Sequence, residues 1–132
     1  MPKRRYTIAV DFDGVIHSHT SPWKNARTIP DPPVEGAIRW LIAMVQKFRV
    51  VVYSTRCRTW LGRRAVRRWL KREAGYAWWE SPAGFRGLEE VELSFEKPTA
   101  LAYLDDRAIR FEGPGTFPSA DEIRQMRPWN KR

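Results

Sequence analysis

Two carboxylates, Asp11 and Asp13, follow directly after the apolar run Ile8–Val10 and are themselves followed by Gly14. A short run of apolar, β-branched residues is typical of a buried strand, and the glycine indicates a sharp turn at its end. Ligands of open α/β sheets bind at the carboxyl edge of the strands. Two acids separated by one apolar residue can share a hard cation such as Mg²⁺. The alternative is a solvated Asp-Phe-Asp-Gly turn, since Asp and Gly are ordinary turn residues.

A second apolar run, Arg49–Tyr53, ends in Ser54, Thr55 and Arg56. With a helix between them, the two runs form a βαβ unit with parallel strands, so we expect Ser54 at the same sheet edge as Asp11. A hydroxyl and a guanidinium beside two carboxylates and a cation suit a phosphoryl group, because both donate hydrogen bonds to its oxygens. The alternative is a Ser-Thr helix cap followed by a solvent-facing arginine.

The run Ala100–Leu104 predicts a further buried strand, and this strand also ends in paired acids, Asp105 and Asp106. Lys97 lies shortly before it. Three predicted strands therefore end in polar or charged residues that a parallel sheet brings to one edge.

The elements that position these residues follow from the pattern along the chain. The first strand is predicted over Tyr6–Val10, and a loop over 15–31 leads to a helix with Asp31 as N-cap and Pro32 in its first position, ending near Lys47. The further predictions are a helix over 58–73 with Gly75 as C-cap, a half-exposed strand over 89–95, a short edge strand over 108–112, and a helix over 120–126 capped by Ser119. Alternating strands and helices predict an α/β fold with a mostly parallel sheet.

Length and composition predict one soluble domain. The 132 residues suffice for one core but not for two. The single cysteine, Cys57, excludes an intrachain disulfide, and His17 and His19 are too few for a zinc site and are expected only to fill the loop. No apolar run approaches the roughly 18 residues that span a bilayer. We therefore expect a cytoplasmic protein without membrane contact.

The formal net charge of +9 favours polyanionic partners, above all nucleic acid. The predicted helix over 58–73 is densely basic, and an aromatic-rich segment over 76–92 follows it. Basic side chains interleaved with aromatics are typical of single-stranded nucleic-acid binding. The candidate substrate contacts are Arg63, Arg67, Trp78, Trp79 and, in the 15–31 loop, Trp23. The alternative is a solvated helix face and rings that belong to the core.

The order of these features resembles the haloacid dehalogenase superfamily of phosphohydrolases. Its four motifs are Asp-x-Asp-Gly, a strand-terminal Ser or Thr, a Lys and a strand-terminal acidic pair, and all four occur here, so the resemblance covers nearly all of residues 1–132. It implies a three-layer, Rossmann-like fold with helices on both faces of the sheet. Only the 15–31 loop and a minimal insert over 76–92 stand where many members carry a cap domain. An open site without a large cap is therefore expected.

The resemblance also implies roles for the two acids of the first motif. Asp11 would be the nucleophile that forms an aspartyl-phosphate. Asp13 would be the general acid toward the leaving oxygen and then the base toward the hydrolytic water.

The other motifs imply the phosphate and metal ligands. Ser54, or Thr55 one position further on, and Arg56 would bind the phosphate, and Lys97 would neutralise its oxygens. Mg²⁺ would be held by carboxylates and by one backbone carbonyl. The expected metal ligands are Asp11, the backbone carbonyl of Asp13, and Asp105 or Asp106.

The segment Leu104–Ala108 is similar to the closing motif of deoxyribonucleotidases and of the phosphatase domain in phage-type polynucleotide kinase phosphatases. A phosphate-binding loop of the Gly-x-x-x-x-Gly-Lys-Ser/Thr type does not occur in this sequence, so kinase activity is not expected. The resemblance implies a Mg²⁺-dependent phosphomonoesterase that acts on phosphorylated nucleic-acid ends or nucleotides. The alternatives are a small 5′(3′)-deoxyribonucleotidase and a non-catalytic nucleic-acid-binding protein on the same fold.

Overall fold

A computed structural model describes residues 5–75 and 86–131. Four parallel strands form its sheet in the order β3-β2-β1-β4: β1 (Thr7–Asp11), β2 (Arg49–Tyr53), β3 (Glu92–Ser94) and β4 (Ala102–Leu104). The central strand β1 pairs Asp11 with Tyr53 on one side and Val10 with Leu104 on the other. The α/β class and the parallel arrangement are confirmed, and the carboxyl ends of β2, β1 and β4 meet at one edge.

Three α-helices are described: α1 (Ala37–Val45), α2 (Trp60–Ala74) and α3 (Ala120–Gln125). Short 3₁₀ turns cover Thr55–Arg58, Leu88–Glu90 and Trp129–Lys131. Helix α2 begins after Thr59, whose hydroxyl accepts the Gly62 N–H at 3.1 Å, and ends at Gly75 with a φ of 23°. Ser119 caps α3 in the same way. The predicted caps Gly75 and Ser119 are therefore confirmed.

The core cluster packs α1 and α2 against the sheet face that Val10 and Val52 share by their register. Burying one such aliphatic side chain contributes roughly 1.5–3 kcal/mol. The helices contribute Leu41, Val45, Val66, Trp69 and Leu70 to this cluster.

The opposite face of the sheet carries Ala9 and Val51, which are also buried. Helix α3 buries none of its residues. Within residues 5–75 and 86–131, helices are therefore seen to cover one face, and the third layer on the other face stays a prediction.

The predicted start of α1 at Asp31 and Pro32 is wrong. The helix begins at Ala37, after Gly36 with a φ of 84°, a left-handed conformation that glycine adopts without strain. The Asp31 carboxylate accepts the N–H and the hydroxyl of Ser21 at 2.8 and 2.5 Å instead of capping a helix. The Asp31 side chain, which was predicted to cap the helix, is therefore hydrogen-bonded within the loop.

Strand β4 is not the buried strand that its apolar sequence predicted. Its three residues are exposed, Leu104 by 45%, because β4 lies at the sheet edge and pairs only with β1. The predicted strand over 108–112 is also wrong, since these residues lie outside regular structure. Strand β3 is shorter than the predicted 89–95.

Part of the predicted insert over 76–92 belongs to the core, because Leu88 and Val91 are buried there. Tyr76, Trp78, Trp79 and Phe85 lie outside the described residues. Across the described helices, none combines the length and the apolar character that crossing a membrane requires.

Gly62 lies where α2 crosses the 3₁₀ turn, and a Cβ at this position would stand 1.9 Å from the backbone oxygen of Arg56. We expect Gly62→Ala to lower the free energy of unfolding by about 1–3 kcal/mol through overpacking, although alanine favours an isolated helix by about 1 kcal/mol. Urea denaturation measures the change. The exposed Arg64→Ala, in the same helix, should stay within about 0.5 kcal/mol of the wild type. A more stable Gly62→Ala protein would contradict this packing.

Candidate functional site

A cluster of three carboxylates lies at the carboxyl edge of the sheet. Asp11 is the last residue of β1, and Asp105 and Asp106 follow β4, its neighbour. The oxygens of the three side chains that face each other lie within 4.8 Å of one another. The predicted convergence of these acids is therefore what the parallel pairing of β1 and β4 produces.

Gly14 allows Asp106 to approach. Its φ is 88°, and a Cβ on Gly14 would stand 2.3 Å from Oδ2 of Asp106. Both the backbone conformation and the space require glycine here. The indole N–H of Trp129 donates to the carbonyl of Gly14, so the turn near the end of the chain also supports this position.

The electrostatics of the cluster fit a cation. Burial, the charge of Asp105 and a hydrogen bond with Asp106 raise the pKa of Asp11 to about 8. Oδ1 of Asp106 is buried without a hydrogen-bond partner in the described part of the chain. A crowded set of carboxylates with an unused buried oxygen suits a hard divalent ion such as Mg²⁺, which prefers oxygen ligands.

Tyr53 is a member of this cluster that the sequence analysis missed. Its hydroxyl donates to Oδ2 of Asp105 at 2.8 Å. The pKa of the phenol is raised, mainly by burial and next by this hydrogen bond. Its position as the last residue of β2, in register with Asp11, is the signal that was present in the sequence.

Asp13 belongs to a second, separate cluster. The guanidinium of Arg56 donates from Nε to both carboxylate oxygens, at 3.1 and 2.9 Å. Nδ1 of His17 lies 2.8 Å from Oδ1 of Asp13, and His19 lies further out. Asp13 is thus held by an ion pair and a hydrogen bond.

The partners of His17 define its tautomer. Nε2 lies 3.1 Å from the backbone N–H of Asp31, which can only donate, so Nε2 accepts and Nδ1 carries the proton toward Asp13. The ring is buried, stacked on Phe12 and edge-on to Trp69. The expectation that His17 only fills the loop therefore understated its contact with Asp13.

The contacts of Asp13 favour its ionised form, whereas a proton donor must be protonated. Burial alone would raise the pKa of Asp13, but the hydrogen bonds from His17 and Arg56 and the charge of Arg56 outweigh it. The pKa of Asp13 is therefore held below its ordinary value. In this arrangement Asp13 is an anion that can accept a proton more readily than donate one.

Arg56 has partners other than the predicted phosphate. Its side chain is 1% exposed, and Nη1 donates to three backbone carbonyls of the 15–31 loop at 2.8 to 3.1 Å. Those carbonyls belong to Asn25, Ala26 and Thr28. The guanidinium also lies 4.6 Å from the ring centroid of Trp23, which is half exposed. Arg56 therefore fixes this loop to the site, and the Trp23 ring lies against the guanidinium of Arg56.

Ser54 is buried and follows β2 directly, whereas Thr55 is exposed. The Ser54 hydroxyl accepts the Arg56 N–H at 3.1 Å and so caps the 3₁₀ turn, as the alternative interpretation proposed, but the solvent-facing arginine of that interpretation is wrong because Arg56 is buried. A hydroxyl that accepts a hydrogen bond keeps its own proton to donate. Of the two candidates, Ser54 therefore has the more suitable position for an anion at the sheet edge.

Lys97 is exposed, and its ammonium group lies 4.5 Å from the ring centroid of Tyr103 and 5.7 Å from that of Tyr53. These tyrosines come from the strands on either side of β1 and share the sheet face of Asp11 by their register. The ammonium of Lys97 consequently lies above the central strand, on the side of the carboxylate cluster.

The predicted substrate contacts on α2 are engaged with the protein itself. A terminal nitrogen of Arg63 donates to the carbonyl of Cys57, and one of Arg67 donates to the carbonyl of Leu88. Burial lowers the pKa of Arg67. Trp78 and Trp79, as noted above, lie outside the described residues.

No protein-family model, curated protein or solved structure matches this chain. The chemistry of the site is accordingly argued from its own geometry.

Replacing the buried Arg56 with methionine should lower the free energy of unfolding by about 3–5 kcal/mol, because Asp13 and the loop carbonyls lose their partner. The same change should raise the pKa of Asp13, since Arg56 lowers it. Urea denaturation and NMR titration of the carboxyl group measure the two effects. Arg58→Met, exposed in the same 3₁₀ turn, is the matched control. Equal stability of the two variants would refute the structural role of Arg56.

The raised pKa of Asp11 predicts how stability depends on pH. Between the ordinary pKa of 3.8 and about 8, the folded protein keeps a proton that the unfolded chain has released. In EDTA, the free energy of unfolding should therefore fall as pH rises through this window. The opposite contribution of Asp13, whose pKa is lowered, is already complete above its ordinary value.

Chemical denaturation at a series of pH values tests this dependence. Asp11→Asn should flatten the profile, whereas the exposed control Asp121→Asn should leave it unchanged. Adding Mg²⁺ at pH 8 should stabilise the wild type more than Asp11→Asn. A wild-type profile in EDTA that is already flat would contradict the prediction.

Proposed function

We propose that the protein is a Mg²⁺-dependent phosphomonoesterase of the haloacid dehalogenase type, which acts on phosphorylated nucleic-acid ends or nucleotides. The observation that carries the proposal is the cluster of Asp11, Asp105 and Asp106, with the unpartnered buried oxygen of Asp106, at the carboxyl edge of a parallel sheet. The three-layer, Rossmann-like form of the fold is part of the same proposal.

In the proposed reaction a carboxylate oxygen of Asp11 attacks the phosphorus, and the bond to the leaving oxygen breaks. The product is an aspartyl-phosphate, and the leaving oxygen takes up a proton from solvent water, because Asp13 is ionised. Water then attacks the phosphorus, which releases inorganic phosphate and restores the Asp11 carboxylate. Asp11, Asp105 and Asp106 would hold Mg²⁺, which supplies charge neutralisation and in-line orientation when bound.

Two further side chains suit the phosphoryl oxygens. Ser54 has a proton to donate and stands next to Tyr53, the register partner of Asp11. Lys97 brings a positive charge above β1. A donor and a cation on the attacked group stabilise the charge that it carries through the transition state. Arg56, with its buried loop partners, is left out of this set.

Asp13 fits one half of its expected role better than the other. As an anion, Asp13 is free to accept a proton from the hydrolytic water, although the contacts with Arg56 and His17 that lower its pKa also make it a weak base. Proton donation to the leaving oxygen is disfavoured by its lowered pKa. A leaving group that needs little protonation, such as a nitrophenolate, should therefore react faster than an alkyl phosphate.

The experiment is phosphate release by the purified protein with Mg²⁺ from single-stranded oligonucleotides bearing a 3′- or a 5′-phosphate and from nucleoside monophosphates. Asp11→Asn should abolish release, because the nucleophile is lost, while Asp121→Asn should retain it. Chelation of Mg²⁺ should also abolish release.

Each substrate arm has its own meaning. Release from an oligonucleotide supports the proposal and identifies the preferred end, whereas release from monophosphates alone supports the small nucleotidase. No release from any substrate, by folded protein with Mg²⁺ present, would contradict the proposal and favour a binding protein.

A further inference from the structure

A shallow groove runs between the 15–31 loop and α2. It consists of two adjoining cavities of about 240 and 290 Å³, which share Arg27 of the loop and Ala65 and Arg68 of the helix. Along α2 it extends from Leu61 to Arg72, a span of about 17 Å at 1.5 Å per residue. The groove is therefore elongated along α2, and none of its lining residues belongs to the carboxylate cluster.

The charged side chains that line the groove are all arginines. Arg64, Arg68 and Arg72 stand on one face of α2 at intervals of four residues, and Arg27 faces them from the loop. Arg72 has Glu73 as an ion-pair partner at 3.5 Å. For Arg27, Arg64 and Arg68 no carboxylate partner exists among residues 5–75 and 86–131. Such a concentration of one charge favours an anion.

The basic residues of α2 thus separate into two sets. Arg63 and Arg67, which the sequence analysis named as candidate substrate contacts, donate to backbone carbonyls of the protein. Arg64 and Arg68, one residue further along, line the groove and are exposed. Helical periodicity places the two sets on different faces.

An exposed aromatic ring lies beside one of the arginines that line the groove. Trp60, the first residue of α2, is 68% exposed, and the Arg64 guanidinium lies 5.4 Å from its ring centroid. An exposed indole of this size offers an apolar face on which a planar ligand can stack. An aromatic face beside a line of cations matches the bases and phosphates of a single strand.

The groove is close to the candidate site. Arg27 belongs to the 15–31 loop, whose backbone carbonyls accept hydrogen bonds from Arg56 beside Asp13. Trp69 lines the groove and packs against Phe12 and His17, the neighbours of Asp13. The 15–31 loop and Trp69 therefore connect the groove with the surroundings of Asp13.

We propose that this groove binds single-stranded nucleic acid, with Arg27, Arg64 and Arg68 on its phosphates and Trp60 stacked on a base. The inference deepens the proposed function, because it gives the strand that bears the phosphorylated end a place to lie. A concave surface with an aromatic platform favours a single strand over a lipid surface, which would need a flat or convex basic face.

The test measures fluorescence anisotropy of a labelled, unphosphorylated single strand of about 12 nucleotides, in EDTA and over a range of salt concentrations. The groove variant is R27Q/R64Q/R68Q, and the control variant R39Q/K47Q/R110Q loses the same charge from exposed positions elsewhere. We expect the groove variant to bind at least tenfold more weakly than the control. Its slope of log affinity against log salt should be less steep by about 2.

Trp60→Leu provides a second, independent variant, because the ring is exposed and its loss should leave the fold intact. We expect it to bind about fivefold more weakly or worse, through lost stacking. Equal affinities of the groove and control variants, or binding to phosphatidylserine vesicles in place of the oligonucleotide, would overturn the proposal. Because the strand bears no terminal phosphate and Mg²⁺ is absent, this result is independent of whether phosphate release succeeds.

Discussion

The ion pair between Arg56 and Asp13 is the constraint on which the turn after β1 and the 15–31 loop depend. A guanidinium with 1% exposure must have its charge and its donors satisfied inside the protein, since an unpaired buried charge costs several kcal/mol. The carboxylate of Asp13 supplies the opposite charge, and carbonyls of the 15–31 loop accept the other donors. One side chain at the end of β2 thereby fixes the turn after β1 and a loop without regular secondary structure.

This ion pair gives Asp13 an electrostatic environment unlike that of Asp11, which stands only two residues away. Asp13 is turned toward cations and donors, which lower its pKa, whereas Asp11 faces other acids, which together with burial raise its pKa to about 8. Residue type alone does not distinguish them. Their environments do. Without a cation, the direction of this difference is opposite to the predicted roles, in which the nucleophile Asp11 is ionised and the general acid Asp13 carries a proton.

The sequence predicted those features that depend on local pattern. The apolar runs of β1 and β2, the caps Gly75 and Ser119, and the meeting of strand-end acids all follow from periodicity and parallel topology. The start of α1 did not, because Ser21 and Asp31 bond across the loop. The exposure of β4 depends on its place at the sheet edge, and the burial of Arg56 depends on carbonyls about thirty residues away in sequence. Long-range partners of this kind leave no local signal.

The two halves of the site differ in when the chain can build them. The partners of Asp13 lie within residues 13–56, which run from the turn after β1 to the 3₁₀ turn after β2. The Asp11 cluster needs β4, and the Trp129 bond to Gly14 spans 115 residues of sequence. Because closing a longer loop costs more entropy, contacts of greater sequence separation form more slowly. On a ribosome, the ion pair is therefore within reach of an unfinished chain, whereas the carboxylate cluster can assemble only after residue 106 has emerged.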